Sequence, residues 1–141
     1  MNRLLRRSLA TLVMIAAIVL PTAFSATSAQ AATYACTSAA TIGGLSVPVY
    51  HTGAGETQYC TMSTSQSATW NGGAFALQYA LHTCYGYDLE IDGHFGPDTK
   101  KFLAKAQARE GITGDGVYGP ITSSHLKFVL AASPSKCGGR V

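Results

Sequence analysis

Apolar residues recur along this chain at two different periods, and the change of period divides it. Over residues 45–50, Leu45, Val47 and Val49 alternate with Ser46, Pro48 and Tyr50, the two-residue period of a half-buried strand. Pro48 has no N–H to give to a ladder, which predicts an edge strand. Residues 51–56 contain Gly53 and Gly55 and read as a turn, and residues 57–62 read as a returning strand, so a small hairpin is expected. The Ser/Thr-rich stretch 63–69 reads as a linker.

Beyond it the spacing becomes helical. Phe75, Leu77, Leu81 and Cys84 fall on one face of a helix over 73–83, with Gly86 as its stop. A second helix is predicted over 97–110, with Phe102, Leu103 and Ala106 on its inner face and Gly111 just past its end. A third is predicted over 120–132, presenting Ile121, Leu126, Val129 and Leu130. The expected fold is therefore mainly α: a small three-helix bundle preceded by a short β-hairpin segment.

The start of the chain follows neither period. Arg3, Arg6 and Arg7 precede an apolar run over 9–20, and Ala29-Gln30-Ala31 offers a small-residue cleavage site, so residues 1–31 read as a signal peptide. The run is short of the roughly 20 residues a membrane span needs. Arg6-Arg7 raises twin-arginine export, although Ser8-Leu9-Ala10 fits that signal loosely and general secretion fits better. Thr33-Tyr34-Ala35 is the wrong sequence for a lipid anchor at Cys36. The expected organisation is a leader over 1–31, a hairpin and linker segment over 32–69, a helical domain over 70–134 and a tail over 135–141.

Both later helices are preceded by the same phrase. Asp92-Gly93-His94-Phe95-Gly96-Pro97-Asp98-Thr99 returns as Asp115-Gly116-Val117-Tyr118-Gly119-Pro120-Ile121-Thr122. Asp-Gly builds a tight turn, because glycine accepts positive φ and the Asp oxygen can hold nearby amides. Pro97 and Pro120 suit a first helical position, where the missing N–H has no partner to lose. Phe95 and Tyr118 read as core plugs, and Gln78 and Gln107 as polar groups that satisfy loop backbone.

Removing the leader changes the charge. The chain has ten Lys and Arg and seven Asp and Glu; three of the basic residues lie in the leader, so the remainder has a formal net charge of zero. A nucleic-acid partner loses its electrostatic support. Cys36, Cys60, Cys84 and Cys137 all follow the cleavage point, which reads as two disulfides formed outside the cytoplasm. Three pairings are open; Cys36 with Cys60 and Cys84 with Cys137 close one compact section each. Neighbouring cysteines are 24, 24 and 53 positions apart and His51, His82, His94 and His125 are scattered, so neither set has the spacing of a zinc site. No metal and no cofactor are expected.

The residues 74–128 resemble a known family. Leu77-Gln78 with Leu81, then Gly86-Tyr87, then the two Asp-Gly-x-aromatic-Gly-Pro-x-Thr loops and Leu126 follow the pattern of the peptidoglycan-binding domain found beside bacterial cell-wall hydrolases. The resemblance implies a three-helix fold that attaches proteins to peptidoglycan and is not itself catalytic. Two positions depart from it: Ala106 stands before Gln107 in place of an aromatic residue, and Ser123 stands where Trp or Arg is common.

The function this implies is a secreted, non-catalytic, monomeric module bound to cell-wall peptidoglycan, with no nucleic-acid partner and no membrane contact after cleavage. Candidate ligand contacts are Tyr87, His94, Tyr118, Gly119, Ile121 and Thr122. The start of the third helix is preferred for a stem-peptide carboxylate, since Ile121 leaves it uncharged whereas Asp98 opposes an anion at the second. Asp92, Gly93, Phe95, Gly96, Pro97, Asp115, Gly116 and Pro120 are assigned to the scaffold. Lys101, Lys105 and Arg109 share a helix face; a solvated stripe is the default, and contact with anionic wall polymers the lesser reading. Two rival functions stand beside it. Glu90 and Asp92 offer a carboxylate pair for a small wall hydrolase, without a nucleophile-and-base set to complete it. Lys136-Cys137-Gly138 distantly resembles the cysteine switch of matrix metalloproteinase propeptides, which implies a protein-binding or inhibitory domain; the even cysteine count opposes it.

Overall fold

The computed structural model describes residues 34–66 and 68–141, and the leader expected at 1–31 lies outside them. Gly43 and Gly44 both have positive φ, 58° and 81°, the backbone of a two-residue hairpin turn that bends with the twist of its strands. They join strand β1 (Ser38–Ile42) to β2 (Leu45–Thr52), paired antiparallel from Ile42↔Leu45 to Ser38↔Val49. A short β3 (Gly55–Thr57) folds back on the end of β2. Pro48 pairs with Ala39 of β1, while β3 begins its pairing at Tyr50 and β4 (Val129–Leu130) touches β2 at Leu45. Proline is tolerated in this multiply paired strand because its own position has a ladder partner in β1 alone.

Helix α1 (Gly72–Tyr85) begins at Asn71, whose side chain accepts from the amides of Gly73 and Ala74, and ends on Gly86 at φ 71°. These are the side-chain N-cap and left-handed C-cap expected of a well-terminated helix. Helix α2 (Pro97–Arg109) and the single-turn α3 (Pro120–His125) each start on a repeat proline. From Leu126 the backbone is extended, and β4 and β5 (Ser133–Cys137) complete one antiparallel sheet in the order β1-β2-β4-β5, with β3 on the end of β2.

The expected mainly α three-helix bundle is therefore wrong: the described residues form a five-stranded sheet beside three helices, two of them substantial, and α1 is the helix that packs on the sheet while α2 packs on α1. The error lies in two places: the hairpin partner of residues 45–52 is the unexpected β1 and not residues 57–62, of which only Thr57 pairs with it, and residues 126–137 leave the expected helix. Ser124 Oγ donates to the Ile121 carbonyl at 3.0 Å and the His125 ring lies 2.8 Å from the same oxygen, side-chain competition that weakens a helix at its end. Val129 and Leu130 then satisfy their backbone in the sheet, against Cys137, Ser133 and Leu45. Their spacing fits a helix and a buried strand equally well; partners distant in sequence decide.

One core joins β2, α1, α2 and both repeat loops. Val47 and Val49 of β2, Leu77 and Leu81 of α1, Leu103 of α2, the repeat aromatics Phe95 and Tyr118, and Phe128 are almost wholly buried together. Phe75, expected on the inner face of α1, is 42% exposed. The disulfides pair Cys36 with Cys60 and Cys84 with Cys137, the second tying β5 to α1. Met62 and Tyr118 exchange backbone hydrogen bonds at 3.0 and 2.9 Å, which stitches the N-terminal segment directly to the second repeat.

Candidate functional site

The repeated phrase builds the same polar clamp twice. In the first copy, Gln78 reaches from α1 into the turn: its Nε2 donates to Asp92 Oδ1 (2.8 Å), the His94 carbonyl (2.9 Å) and Thr99 Oγ1 (3.0 Å), and its Oε1 accepts from the Gly93 amide (2.8 Å). In the second, Gln107 reaches from α2: Nε2 lies 2.9 Å from Asp115 Oδ1, the Val117 carbonyl and Thr122 Oγ1, and Oε1 accepts from Gly116 at 2.8 Å. Each Asp also accepts from the amide two residues on, His94 or Val117. Both glutamines are about 1% exposed, so an unclamped turn would strand buried polar groups. The clamp thus links each helix to the start of the next.

Burial alone would raise the Asp92 pKa, but the Gln78 side chain and the His94 amide donate to the carboxylate and hold it below its ordinary value. Gly93 (φ 74°) and Gly116 (φ 68°) take the left-handed backbone, and both positions are also crowded. A β-carbon at Gly93 would fall on the Trp70 indole, and one at Gly116 would lie 2.7 Å from the Lys100 carbonyl oxygen.

Beside the second clamp lies a groove of about 440 Å³, lined by Gln107, Gly111, Ile112, Thr113, Asp115, Ile121 and Thr122. That volume falls in the range of small-ligand clefts. Ile121 is 59% exposed and gives the groove an apolar edge. Of the six candidate contacts it brings together two, Ile121 and Thr122; Thr122 contributes from inside the clamp. Gly119, half-buried, caps α3. Tyr118 is fully buried in the core. Its hydroxyl and that of Ser123 have no hydrogen-bond partner among the described residues, and burial pushes the tyrosine well above its ordinary pKa. His94 belongs to the first turn. Tyr87 stacks on Phe102 and Tyr85, with ring centroids 5.2 and 6.0 Å apart.

Gly111, Ile112 and Thr113 were not singled out as site residues from the sequence. The signal available was Gly111 as a helix stop: at φ 78° it turns the chain after α2, and Ile112 then donates back to the Gln107 carbonyl at 3.0 Å. The helix-dipole site expected at α3 loses its basis, because a helix of six residues carries little macrodipole. Cys137 is bonded to Cys84, which leaves no thiol there for a propeptide-like switch. Among the described residues, no three His, Cys, Asp or Glu side chains gather as a metal site would need.

Residues 74–126, which cover α1 except its first two residues, both turns, α2 and α3, match the family described as "Putative peptidoglycan binding domain". This segment belongs to that family. The peptidoglycan-binding-family domain accounts for the helices and both clamps, while β1, β2, β3, β4 and β5 lie outside the matched residues. A stretch of 64 residues is 34% identical to the N-acetylmuramoyl-L-alanine amidase CwlL of Bacillus licheniformis, covering 41% of this chain and 18% of the amidase. Another of 54 residues is 37% identical to a Kitasatospora aureofaciens protein, "Uncharacterized protein in bpoA1 3'region", covering 38% of this chain and 46% of that protein. The chain spans less than half the length of either curated relative. No solved structure gives a significant match.

Proposed function

We propose that this chain is an exported, non-catalytic module that holds bacterial cell-wall peptidoglycan in the groove beside the second clamp. The observation that supports it most is the family domain at residues 74–126 with both Gln-centred turns complete, so the second turn that borders the groove is held by buried hydrogen bonds of its own. Ile112 and Ile121 supply apolar contact for acetyl and lactyl methyl groups, and Thr113 and the exposed backbone near Gly111 supply neutral hydrogen-bonding groups. Tyr118 supports the groove from the core and is not itself a contact. Two disulfides fit an extracellular location.

The test is co-sedimentation of the chain, expressed without residues 1–31, with purified peptidoglycan. Retention in the pellet at moderate salt is expected, reduced about tenfold or more by Ile121→Asp, which alters an exposed position and leaves both clamps intact. A wild-type protein that stays in the supernatant sinks the reading. The amidase relative acts on its own substrate through a chain of which this one covers 18%; a zymogram clearing by the purified chain would overturn the non-catalytic part.

A further inference from the structure

The outward face of α2 carries three positive charges, of which only one has a carboxylate in ion-pair range among the described residues. Lys101, Lys105 and Arg109 follow one another at four-residue steps, about 6 Å apart along the axis, and all three lie over aromatic rings. The Lys101 and Lys105 ammonium groups lie 5.0 and 5.4 Å from the centroid of Phe102, and the Arg109 guanidinium lies 5.6 Å from that of Tyr85. Tyr87 stacks against both rings, so the three cations sit along one aromatic stack. Among the described residues the one carboxylate in ion-pair range of any of them is the exposed Asp98, 3.9 Å from Lys101. Glu110, next along the chain, is engaged by Arg140 and Lys127. Arg109 also donates to the Tyr85 carbonyl at 3.4 Å, which orients the guanidinium and leaves its charge unpaired.

Two ammonium groups over one ring repel each other, and free lysines would spread apart. The aromatic base holds them together, a cost that a bound anion relieves. We propose that this face binds a linear phosphodiester polymer of the cell wall, as a second wall contact beside the groove. The guanidinium fork and the ammonium groups both suit phosphate. Nucleic-acid binding proteins that work alone make roughly 6–10 phosphate contacts, and three cations on a chain of zero net charge after the leader fall short of that. Three suffice where a first contact already fixes the protein to the same wall and raises the local polymer concentration. The choice of polymer thus rests on the cell-wall reading above; the anion chemistry of the face does not.

Purified poly(glycerol phosphate), fluorescently labelled and titrated with the chain expressed without residues 1–31, tests this by anisotropy. Binding is expected at low salt, weakening with a log–log slope near −2, about 0.7 per phosphate for three contacts. The triple variant Lys101→Gln, Lys105→Gln, Arg109→Gln should bind at least tenfold more weakly, with an unchanged melting temperature, while Lys101→Arg with Lys105→Arg keeps the affinity. No binding at low salt, or equal binding by the triple variant, overturns the proposal. Tighter binding of single-stranded DNA of the same charge also overturns it, in favour of nucleic acid. Peptidoglycan stripped of its phosphodiesters should still pellet the triple variant with wild-type efficiency; loss of pelleting by the wild-type protein there removes the groove reading and with it the choice of a wall polymer, while the anisotropy titration separately decides whether the face binds phosphodiesters.

Discussion

Replacing Gln107 with glutamate changes one atom of the second clamp from a donor to an acceptor and hardly changes its shape. Nε2 has two hydrogens and lies 2.9 Å from three acceptors, Asp115 Oδ1, the Val117 carbonyl and Thr122 Oγ1. Thr122 Oγ1 in turn donates to the Val117 carbonyl at 3.2 Å, so the amide needs to serve the carboxylate and the hydroxyl. Losing one bond to a charged acceptor and one to a neutral acceptor costs about 3–4 kcal/mol together, before any cost of a buried charge. Domains of this kind are stable by roughly 5–15 kcal/mol, and such a loss lowers the melting temperature by roughly 12–25 °C. The assay is a circular-dichroism melt of Gln107→Glu at pH 7, beside Gln78→Glu, whose clamp is the same and whose loss should be similar. The new carboxyl faces acceptors, so its pKa in the folded state lies above its unfolded value of about 4.3. The charge penalty is then present at high pH and disappears as pH falls below that unfolded value, and the gap to wild type should narrow in acid. A variant melting within about 3 °C of wild type at pH 7, or a gap that widens toward pH 4, would refute the assignment of Gln107 as the organiser of the turn.

Gly111 and Gly116 both have positive φ, but a β-carbon at Gly111 meets open space whereas one at Gly116 meets the Lys100 carbonyl. Gly111→Ala should therefore cost about 1–2 kcal/mol and Gly116→Ala clearly more in urea titrations; equal losses would contradict the crowding. The Glu110 carboxyl is pushed up by burial but held below its ordinary value of 4.5 by Arg140, Tyr85 and Lys127. Its stabilisation is present above 4.5 and lost as pH falls through the folded value, so urea midpoints should drop below pH 4.5, and less steeply in Arg140→Ala; a flat profile counts against it. Replacing Cys84 and Cys137 with serine opens a link across 53 residues, worth up to about 4 kcal/mol by loop entropy. Hydrogen exchange should quicken in Ser133–Cys137 before α2, and unchanged protection of that strand would show that the sheet holds it unaided.

What could be read from the residues alone was whatever local chemistry dictates. Asp-Gly and Gly-Pro impose a turn and a helix start wherever they stand, so both repeats, the beginnings of α2 and α3 and the terminations at Gly86 and Gly111 were visible in the sequence. The repeat also pointed to the family that residues 74–126 match, because its fixed positions are the residues of the clamp. Gln78 and Gln107 stood out as polar residues on apolar faces, though their geometry with Asp and Thr did not.

Tertiary structure decided everything that depends on a distant partner. β1 is Ser38-Ala39-Ala40-Thr41-Ile42, with no apolar alternation to announce it; its one local sign was Gly43-Gly44. Val129 and Leu130 leave the expected helix because Leu45 and Cys137 offer them a sheet, and backbone pairing between residues 85 apart leaves no trace in local spacing. Phe75 turns outward for the same reason: the core is shared with the N-terminal strands, which the helical period cannot register. The sequence by itself thus determined the two clamped turns and the helices they start, since these are short-range consequences of residue type. The sheet, the early end of α3 and the groove beside the second clamp were decided by long-range packing.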